Sequence, residues 1–286
     1  MSTALLEPPI RRLTRADLRH CADLAQNRGW ARAEGVWGLL LAAGTGYGID
    51  APEGEGLAAC CVLTPYGSGL AAVGKLLVAG EYGRRGLGRR LMAQIMAAAG
   101  ETPLVLYATP QGRPIYQELG FVETGRTERL RGTLDGAADT SAAGVLTRRA
   151  TAEDIPAIVR LDAAVFGVDR THLITRLPAT ADRLWVAEDG GEITGCAAGW
   201  SSSDAYGIGP LTARDTATAR ALLVTVARSV EGPVLLSVHG EQKDLLDWAV
   251  EHGMTPVSGT SEMIYGIGEL PGDRRRAFAP LSLATG

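Results

Sequence analysis

An arginine-rich segment broken by glycines, between a predicted strand and a predicted helix, contains the residue types that bind phosphate. Gly86 and Gly88 lack side chains where the backbone must turn and where a ligand would approach its N–H groups. The helix predicted to begin at Leu87 offers unpaired N–H donors and the positive end of its dipole. On these residues alone, a pyrophosphate site and an ordinary tight turn before a solvated helix face are equal alternatives. Four arginines could add bidentate contacts to phosphate oxygens: Arg84, Arg85, Arg89 and Arg90.

The glycine spacing shows which known phosphate-binding patterns this segment can and cannot match. The Walker pattern GxxxxGK[ST] is absent, and GxGxxG beginning at Gly86 fails because Leu91 stands where the third glycine belongs. The spacing Gly86-x-Gly88 resembles instead the acetyl-CoA loop of the GNAT acetyltransferase superfamily, which reads [Q/R]-x-x-G-x-[G/A]. Gly83 occupies the first position of that pattern, so one of its elements is missing here.

A second segment carries the same resemblance. Residues 104–108 are predicted to form a buried strand, and residues 112–119 a short helix. Residues 115–121 (IYQELGF) then resemble the family's "FYEKLGF" segment, at the family's distance from the glycine loop. With two motifs in the right order on the right elements, roughly residues 8–132 are identified as a GNAT unit.

The resemblance implies an α/β fold (an α+β mixed sheet flanked by helices), acetyl-CoA as cosubstrate, and roles for particular residues. A backbone N–H of Leu77, Val78 or Ala79 would face the thioester carbonyl and the pantetheine arm. Tyr116 matches the general acid, and a phenol with an ordinary pKa of about 10 is protonated at neutral pH; the alternative is a tyrosine that merely packs on the sheet. The general base is not identified, because residues 71–75 (AAVGK) contain no carboxylate.

Three residues are candidates for the acceptor site. In the GNAT family the helical segment between the first two strands helps to wall the acceptor pocket, which suggests Trp30 and Trp37. Tryptophans at such positions are more often core residues. Asp169 could anchor a cationic amine, or it could cap a helix and pair at the surface.

The sequence pattern restarts after a small, polar stretch at 135–144, which is predicted to be a linker. Residues 148–155 (RRATAEDI) echo residues 11–18 (RRLTRADL), so Thr151 follows Thr14 by 137 positions, and Gly253 follows Gly120 by 133. Such a nearly constant offset indicates a structural duplication. The chain is therefore predicted to hold a catalytic unit at 1–134 and a similar unit at 145–286.

The second unit is predicted to be degenerate. The stretch that matches the glycine loop, residues 211–220 (LTARDTATAR), contains no glycine, and Asp215 is predicted to cap its own helix rather than leave N–H groups for a phosphate. Residues 162–170 (DAAVFGVDR) resemble the "D…FGxDR" signature of tandem GNAT proteins with an active first unit. In that group the second unit is thought to close over the acceptor site, which implies a specificity domain that does not bind CoA.

Composition limits the remaining possibilities. The chain has 286 residues, 46% of them hydrophobic and 21% charged, with a net charge of -4 and a pI near 5.7, which argues against a general nucleic-acid binder. The four cysteines show no metal-ligand spacing, and no metal is expected. No run of residues has the character of a membrane span or a leader. We therefore expect a cytoplasmic protein, monomeric or homodimeric, with no membrane or nucleic-acid partner.

The function expected from these features is N-acetylation of a primary amine on a small molecule or an amino acid, by direct attack on acetyl-CoA. Gly83 and the missing strand carboxylate leave open a non-catalytic acyl-CoA-binding sensor. A protein-amine acetyltransferase is a further alternative, although a second unit that covers the acceptor site would disfavour a bulky protein substrate.

Overall fold

The two halves of the chain fold into the same succession of elements. The computed structural model describes residues 8–52, 56–134, 145–202 and 205–286, so the predicted linker at 135–144 lies outside the described residues. The first unit comprises β1 (Ile10–Leu13), α1 (Leu18–Asn27), α2 (Glu34–Ala43), β2 (Thr45–Asp50), β3 (Leu57–Tyr66), β4 (Leu70–Val78), α3 (Leu87–Ala99), β5 (Leu104–Ala108), α4 (Arg113–Glu118) and β6 (Val122–Gly132). The second comprises β7 (Leu146–Arg149), α5 (Ile155–Phe166), α6 (Thr171–Ile174), α7 (Leu177–Thr180), β8 (Arg183–Asp189), β9 (Glu192–Ser201), β10 (Tyr206–Ala213), α8 (Thr216–Arg228), β11 (Val234–His239), α9 (Lys243–Glu251), β12 (Met254–Tyr265) and β13 (Ala277–Ala279).

The first helix of each unit begins at the same capping box. In the first unit the Thr14 backbone N–H donates to Asp17 (2.8 Å), and in the second the Thr151 N–H donates to Asp154 (2.7 Å). Each box satisfies donors at a helix start that would otherwise lack a partner. The capping box at Thr14 therefore recurs in the second unit at the position of the echoed sequence.

The arginine that precedes each capping box ties the first helix to the next strand. Arg11 forms ion pairs with Asp17 of the capping box (2.7 Å) and with Asp50 at the end of β2 (2.8 Å). The echoed Arg148 repeats this arrangement in the second unit, where it forms ion pairs with Asp154 (2.7 Å) and Glu188 (2.9 Å). The sequence echo is therefore a repeated set of contacts, as expected for a duplication.

The described residues form one continuous sheet of 13 strands rather than the separate sheet that we expected in each unit. The strand order is β1-β2-β3-β4-β5-β12-β6-β11-β10-β9-β8-β7, with β13 paired to β10. The last long strand of each unit is thus exchanged: β12 pairs with β5, and β6 pairs with β11. The exchange covers the edge that each unit would otherwise expose, which is the physical reason for one sheet instead of two.

In the first unit, two parallel strands separate part-way along their length. The β4–β5 register ends at the pair Val73–Leu106, although β4 continues to Val78. Beyond that pair β4 bulges against β3, since Gly74 lies opposite Val62 and the next registered pair is Leu77 with Cys60. We call the space beside residues 74–78 of β4 the β4–β5 gap.

The second unit has the same divergence, but another strand occupies it. The β10–β11 register ends at Ile208–Leu236. Beyond that pair β13 runs antiparallel to β10, with Leu211 opposite Ala279 and Thr212 opposite Ala277. We call this space the β10–β11 gap, and β13 fills it.

Helices cover both faces of the sheet around the β4–β5 gap. Leu77 and Ala79 pack with α1 and α2 on one face, whereas Val73 and Leu106 pack with α3 and α4 on the other. The neighbouring cysteines on β3 follow the same alternation: Cys60 belongs to the α1–α2 cluster and Cys61 to the α3 cluster. The two cysteines therefore point to opposite faces of the sheet, and all four cysteines are free and buried.

Candidate active site

The predicted phosphate loop leads from β4 into α3 and leaves the start of that helix without a side-chain cap. Gly86, the residue before α3, has φ +78° and meets no atom within 4 Å of an added Cβ, so the position needs glycine for its backbone conformation rather than for space. Arg84 also has a positive φ, of +60°. No described side chain accepts a hydrogen bond from a first-turn backbone N–H of α3, whereas at α8 the Asp215 carboxylate accepts from Thr218 N–H at 2.8 Å. The predicted cap at Asp215 is confirmed, and of these two equivalent helices α3 is the one without a side-chain cap among the described residues.

The four predicted arginines have different surroundings. Arg84 and Arg85 are exposed, and the Arg85 guanidinium lies 5.4 Å from the centre of the Tyr82 ring. Arg89 forms an ion pair with Glu118 of α4, and Arg90 donates to the backbone carbonyl of Pro8 at 2.9 Å. The structure thus presents two arginines to solvent beside the α3 start and engages the other two with protein groups.

The backbone of β4 presents particular N–H groups to the β4–β5 gap. The Ala79 N–H donates to the Ala58 carbonyl at 2.9 Å, so it faces β3. Because backbone donors alternate in direction along a strand, the N–H of Leu77 also faces β3 and that of Val78 faces the gap. Of the three predicted residues, Val78 is the one whose N–H faces the gap.

Tyr116 packs on the α3 side of the gap. It lies on α4, is 8% exposed, and belongs to the cluster that contains Val73, Leu106 and Ala108. Its ring contacts Phe121 edge-on, with 5.9 Å between ring centres. Burial raises the pKa of Tyr116 above that of an ordinary phenol, so the hydroxyl keeps its proton throughout the neutral range.

The two predicted acceptor-site tryptophans lie on the other side of the gap, against a lysine that sequence reasoning did not single out. Lys75 Nζ lies 5.4 Å from the centre of the Trp30 ring and 5.2 Å from that of Trp37. Trp30 is 41% exposed, whereas Trp37 is fully buried and belongs to the core. Burial lowers the pKa of Lys75 to about 8. A signal for this residue was present in the sequence, as the one charged position in the strand segment AAVGK.

Asp169 caps α6 at the surface. Its Oδ1 accepts from the Thr171 N–H at 2.8 Å, and this bonding holds the pKa of Asp169 below its ordinary value. The first and last residues of the 162–170 signature contact each other. Arg170 makes a buried bidentate ion pair with Asp162 (3.0 and 2.5 Å) and donates to the Gly286 carbonyl. These contacts favour the capping interpretation of Asp169 and give the signature a structural role.

A buried polar cluster joins the units where β5 meets β12. The Tyr107 hydroxyl donates to Glu262 at 2.7 Å, and Arg274 forms an ion pair with the same carboxylate. The His239 ring lies 6.1 Å from that of Tyr107, and burial together with Arg274 lowers the pKa of His239 to about 3. Sequence reasoning missed this cluster, because its members come from both units and converge only through the strand exchange.

The described residues hold no group of three or more His, Cys, Asp or Glu side chains placed to bind a metal ion. None of the helices in the described ranges is long and apolar enough to cross a membrane.

The architecture resembles solved structures over the whole chain. A protein from Pyrococcus horikoshii, described as an acetyltransferase candidate, is 19% identical and superposes with a TM-score of 0.80 over 100% of this chain and 98% of that chain. A GCN5-related N-acetyltransferase from Sphaerobacter thermophilus is 19% identical, with a TM-score of 0.62 over 93% and 97% of the two chains. A tandem GNAT protein of the clavulanic acid biosynthesis pathway is 15% identical, with a TM-score of 0.63 over 92% and 100%. At these identities the likeness establishes the fold, and the predicted tandem α/β fold of mixed strands is confirmed.

Sequence comparison adds the family. Two profiles described as "Acetyltransferase (GNAT) domain" match the chain, one at residues 66–134 and the other at residues 158–279. The uncharacterized N-acetyltransferase YitH of Bacillus subtilis (strain 168) is 25% identical over 224 residues, or 75% of this chain and 76% of that protein. The chain belongs to the GNAT superfamily of acyltransferases and carries two GNAT units in tandem.

Proposed function

We propose that the first unit transfers an acetyl group from acetyl-CoA to a primary amine of a small molecule or an amino acid, by direct attack. The observation that carries this proposal is the β4–β5 gap, where no further strand of the described residues pairs between β4 and β5 beyond Val73–Leu106. This gap ends at the uncapped start of α3 and has Tyr116 packed at its side. A gap that the Val78 N–H faces suits an extended acyl-carrying arm, and a helix N-terminus without a side-chain cap suits its pyrophosphate.

Different residues bind the phosphates, stabilise the developing charge and donate the proton. The first-turn N–H groups of α3, with Arg84 and Arg85, hold phosphate charge. The Val78 N–H donates to the thioester carbonyl oxygen, where negative charge develops as the amine attacks. A carbon–nitrogen bond forms, the carbon–sulfur bond breaks, the Tyr116 proton goes to the departing sulfur, and the amine proton leaves to solvent. Burial keeps Tyr116 protonated until that step.

We further propose that the second unit, residues 145–286, binds no CoA and contributes to acceptor specificity. Two observations support this division: β13 fills the β10–β11 gap, and Asp215 occupies the start of α8. The segment at 280–286 continues from β13 to the first unit, where the Ala284 backbone packs against Gly74 at the mouth of the β4–β5 gap. The second unit therefore supplies part of the wall on the acceptor side.

Calorimetric titration with acetyl-CoA tests the proposal. The wild type should bind one equivalent, and an Arg84→Ala/Arg85→Ala double variant should bind about tenfold or more weakly, since each charge-assisted contact contributes about 1.5–3 kcal/mol. The matched control is Arg214→Ala/Arg220→Ala at the corresponding position of the second unit, which should bind as the wild type does. Binding of two equivalents, or equal weakening in both double variants, would contradict the proposed division of roles. No binding at all would exclude the enzyme.

A further inference from the structure

Lys75 occupies a strained position where β4 leaves β5. It is the first residue after Gly74 in the bulge, two positions past the last β4–β5 pair, Val73–Leu106. Its φ is +56°, a conformation that a lysine adopts only where its surroundings hold it. Strained backbone of this kind is concentrated at functional sites. The bulge turns Lys75 toward the α1–α2 face, where its side chain meets Trp30 and Trp37.

The ammonium group of Lys75 has aromatic neighbours and a second cation nearby, but no acidic partner in the described ranges. No described Asp or Glu forms an ion pair with it, and the titratable groups that affect its pKa are Cys60 of β3 and Arg129 of β6. Burial is the main reason that its pKa falls to about 8, and Arg129 lowers it further. The indole rings of Trp30 and Trp37 compensate only part of the lost hydration.

A half-buried cation without a counter-ion is costly, and an anion placed beside it would recover much of that cost. The positive charge of Lys75 also attracts a carboxylate and repels an ammonium ion. An acceptor that carried only an amine would gain nothing from this arrangement. An acceptor with both groups could direct its carboxylate to Lys75 and its amine to the β4–β5 gap.

We propose that Lys75 binds the carboxylate of the acceptor, so that the acceptor is an amino acid or a related amine that carries a carboxylate. The inference rests on the proposed function of the first unit and narrows its substrate class. It also indicates which side of the site is open to solvent, because Trp30 is partly exposed and Trp37 is not. The carboxylate would therefore enter along the Trp30 side of the lysine.

Turnover with matched amines tests the inference. Free-thiol release is measured with three pairs, each an amino acid and its decarboxylated amine: glycine and methylamine, L-leucine and isopentylamine, L-phenylalanine and phenethylamine. We expect the wild type to favour the amino acid in kcat/KM by about tenfold or more, the usual effect of a charge-assisted contact. Lys75→Met should remove that preference by raising KM for the amino acid, with little change for the simple amine. Lys75→Arg should retain most of it.

The control is Lys243→Met, which removes the exposed lysine at the start of α9. It makes the same change in charge and should leave the preference intact. Equal use of both members of each pair by the wild type would overturn the inference. So would equal inactivity of Lys75→Arg and Lys75→Met toward both members, because Lys75 would then be needed as a proton acceptor rather than as an anchor.

A binding experiment separates failure of this inference from failure of the proposed function. N-acetyl-L-phenylalanine and its amide are titrated calorimetrically into the CoA-saturated protein near pH 8, in two buffers of different ionisation enthalpy. The carboxylate probe should bind with proton uptake, since an anion favours protonated Lys75, and the amide should bind about tenfold or more weakly. Carboxylate-dependent binding without turnover of any amine would support the anchor and contradict the proposed enzyme. Turnover without a carboxylate preference would support the proposed enzyme and contradict the anchor.

Discussion

The β4–β5 gap and the β10–β11 gap arise from the same divergence of two parallel strands, but they differ in whether a further strand pairs there. In each unit three parallel register pairs precede the divergence, ending at Val73–Leu106 and at Ile208–Leu236. The first gap is left without a third strand in the described residues, and the second is filled by β13. Duplication thus preserved the sheet geometry while the second copy used its gap for its own chain. The difference shows that the geometry of the sheet does not by itself identify a binding site.

The starts of the two helices that follow differ in the same sense. Gly86 leaves the N-terminus of α3 without a side-chain acceptor, whereas Asp215 supplies one at α8. A carboxylate at a helix start stabilises the helix and excludes another anion from the same donors. In the second unit, β13 therefore pairs with the strand edge and Asp215 caps the helix start. In the first unit, no described strand or side chain does the same.

Removing one phenol from each unit should give the largest contrast. Tyr116→Phe removes the proposed proton donor, so we expect kcat to fall by about 10²–10⁴-fold with the Kd for acetyl-CoA unchanged. Tyr206→Phe is the matched control, because its hydroxyl is buried in the second unit without a hydrogen-bond partner in the described residues. It should retain wild-type kcat. Equal thiol release by Tyr116→Phe and the wild type would leave Tyr116 a packing residue.

A pair of glycines, one at each divergence, allows a second comparison. A Cβ on Gly74 would lie 2.5 Å from the Ala284 carbonyl oxygen, and a Cβ on Gly209 would lie 2.3 Å from that of Pro280. Both contacts are to backbone, so Gly74→Ala and Gly209→Ala should each lower the free energy of unfolding by about 1–3 kcal/mol, measured by urea denaturation. Only Gly74→Ala should also change acetyl transfer, because only Gly74 borders the open gap.

The control for the glycine pair is Gly268→Ala, since no atom lies within 4 Å of a Cβ added there. It should change the unfolding free energy by no more than about 0.5 kcal/mol. If Gly74→Ala and Gly209→Ala affected acetyl transfer equally, the two gaps would not differ in function.

The features that could be predicted from the sequence are those with a local physical cause. Gly86 was identifiable because a left-handed turn before a helix requires glycine. The Thr14 and Asp215 caps were identifiable because short polar side chains satisfy the first N–H groups of a helix. The duplication was visible because the same capping and ion-pairing residues recur in the same order.

The features that could not be predicted depend on long-range pairing. No local pattern in β6 or β12 shows that each strand pairs with the other unit, and β13 has only three residues. The Tyr107–Glu262 contact joins positions that lie 155 residues apart and exists only because of that exchange. Likewise, Lys75 is unremarkable in sequence until the bulge places it against two tryptophans.

The ion pairs at the capping boxes give the smallest expected effect and test whether the two units are separate folding units. Arg11 lowers the pKa of Asp17 from 3.8 to about 2, so the pair stabilises the fold fully above about pH 5 and is lost as the pH falls from about 4 to 2. That shift corresponds to about 2 kcal/mol at pH 7. Asp17→Asn should therefore lose about that much unfolding free energy at pH 7 and differ little from the wild type near pH 2.

The matched variant in the second unit is Asp154→Asn, because Arg148 also holds the pKa of Asp154 well below its ordinary value. Since the exchanged strands join both units in one sheet, unfolding should be a single cooperative transition. Each variant should then shift that whole transition in urea, at pH 7, by a similar amount. Two resolved transitions, with Asp17→Asn moving only one and Asp154→Asn only the other, would show that the exchange does not couple the units. In that case the β4–β5 gap and the β10–β11 gap would belong to two independently stable domains. A change in the stability of the second unit would then not affect the proposed active site through the sheet.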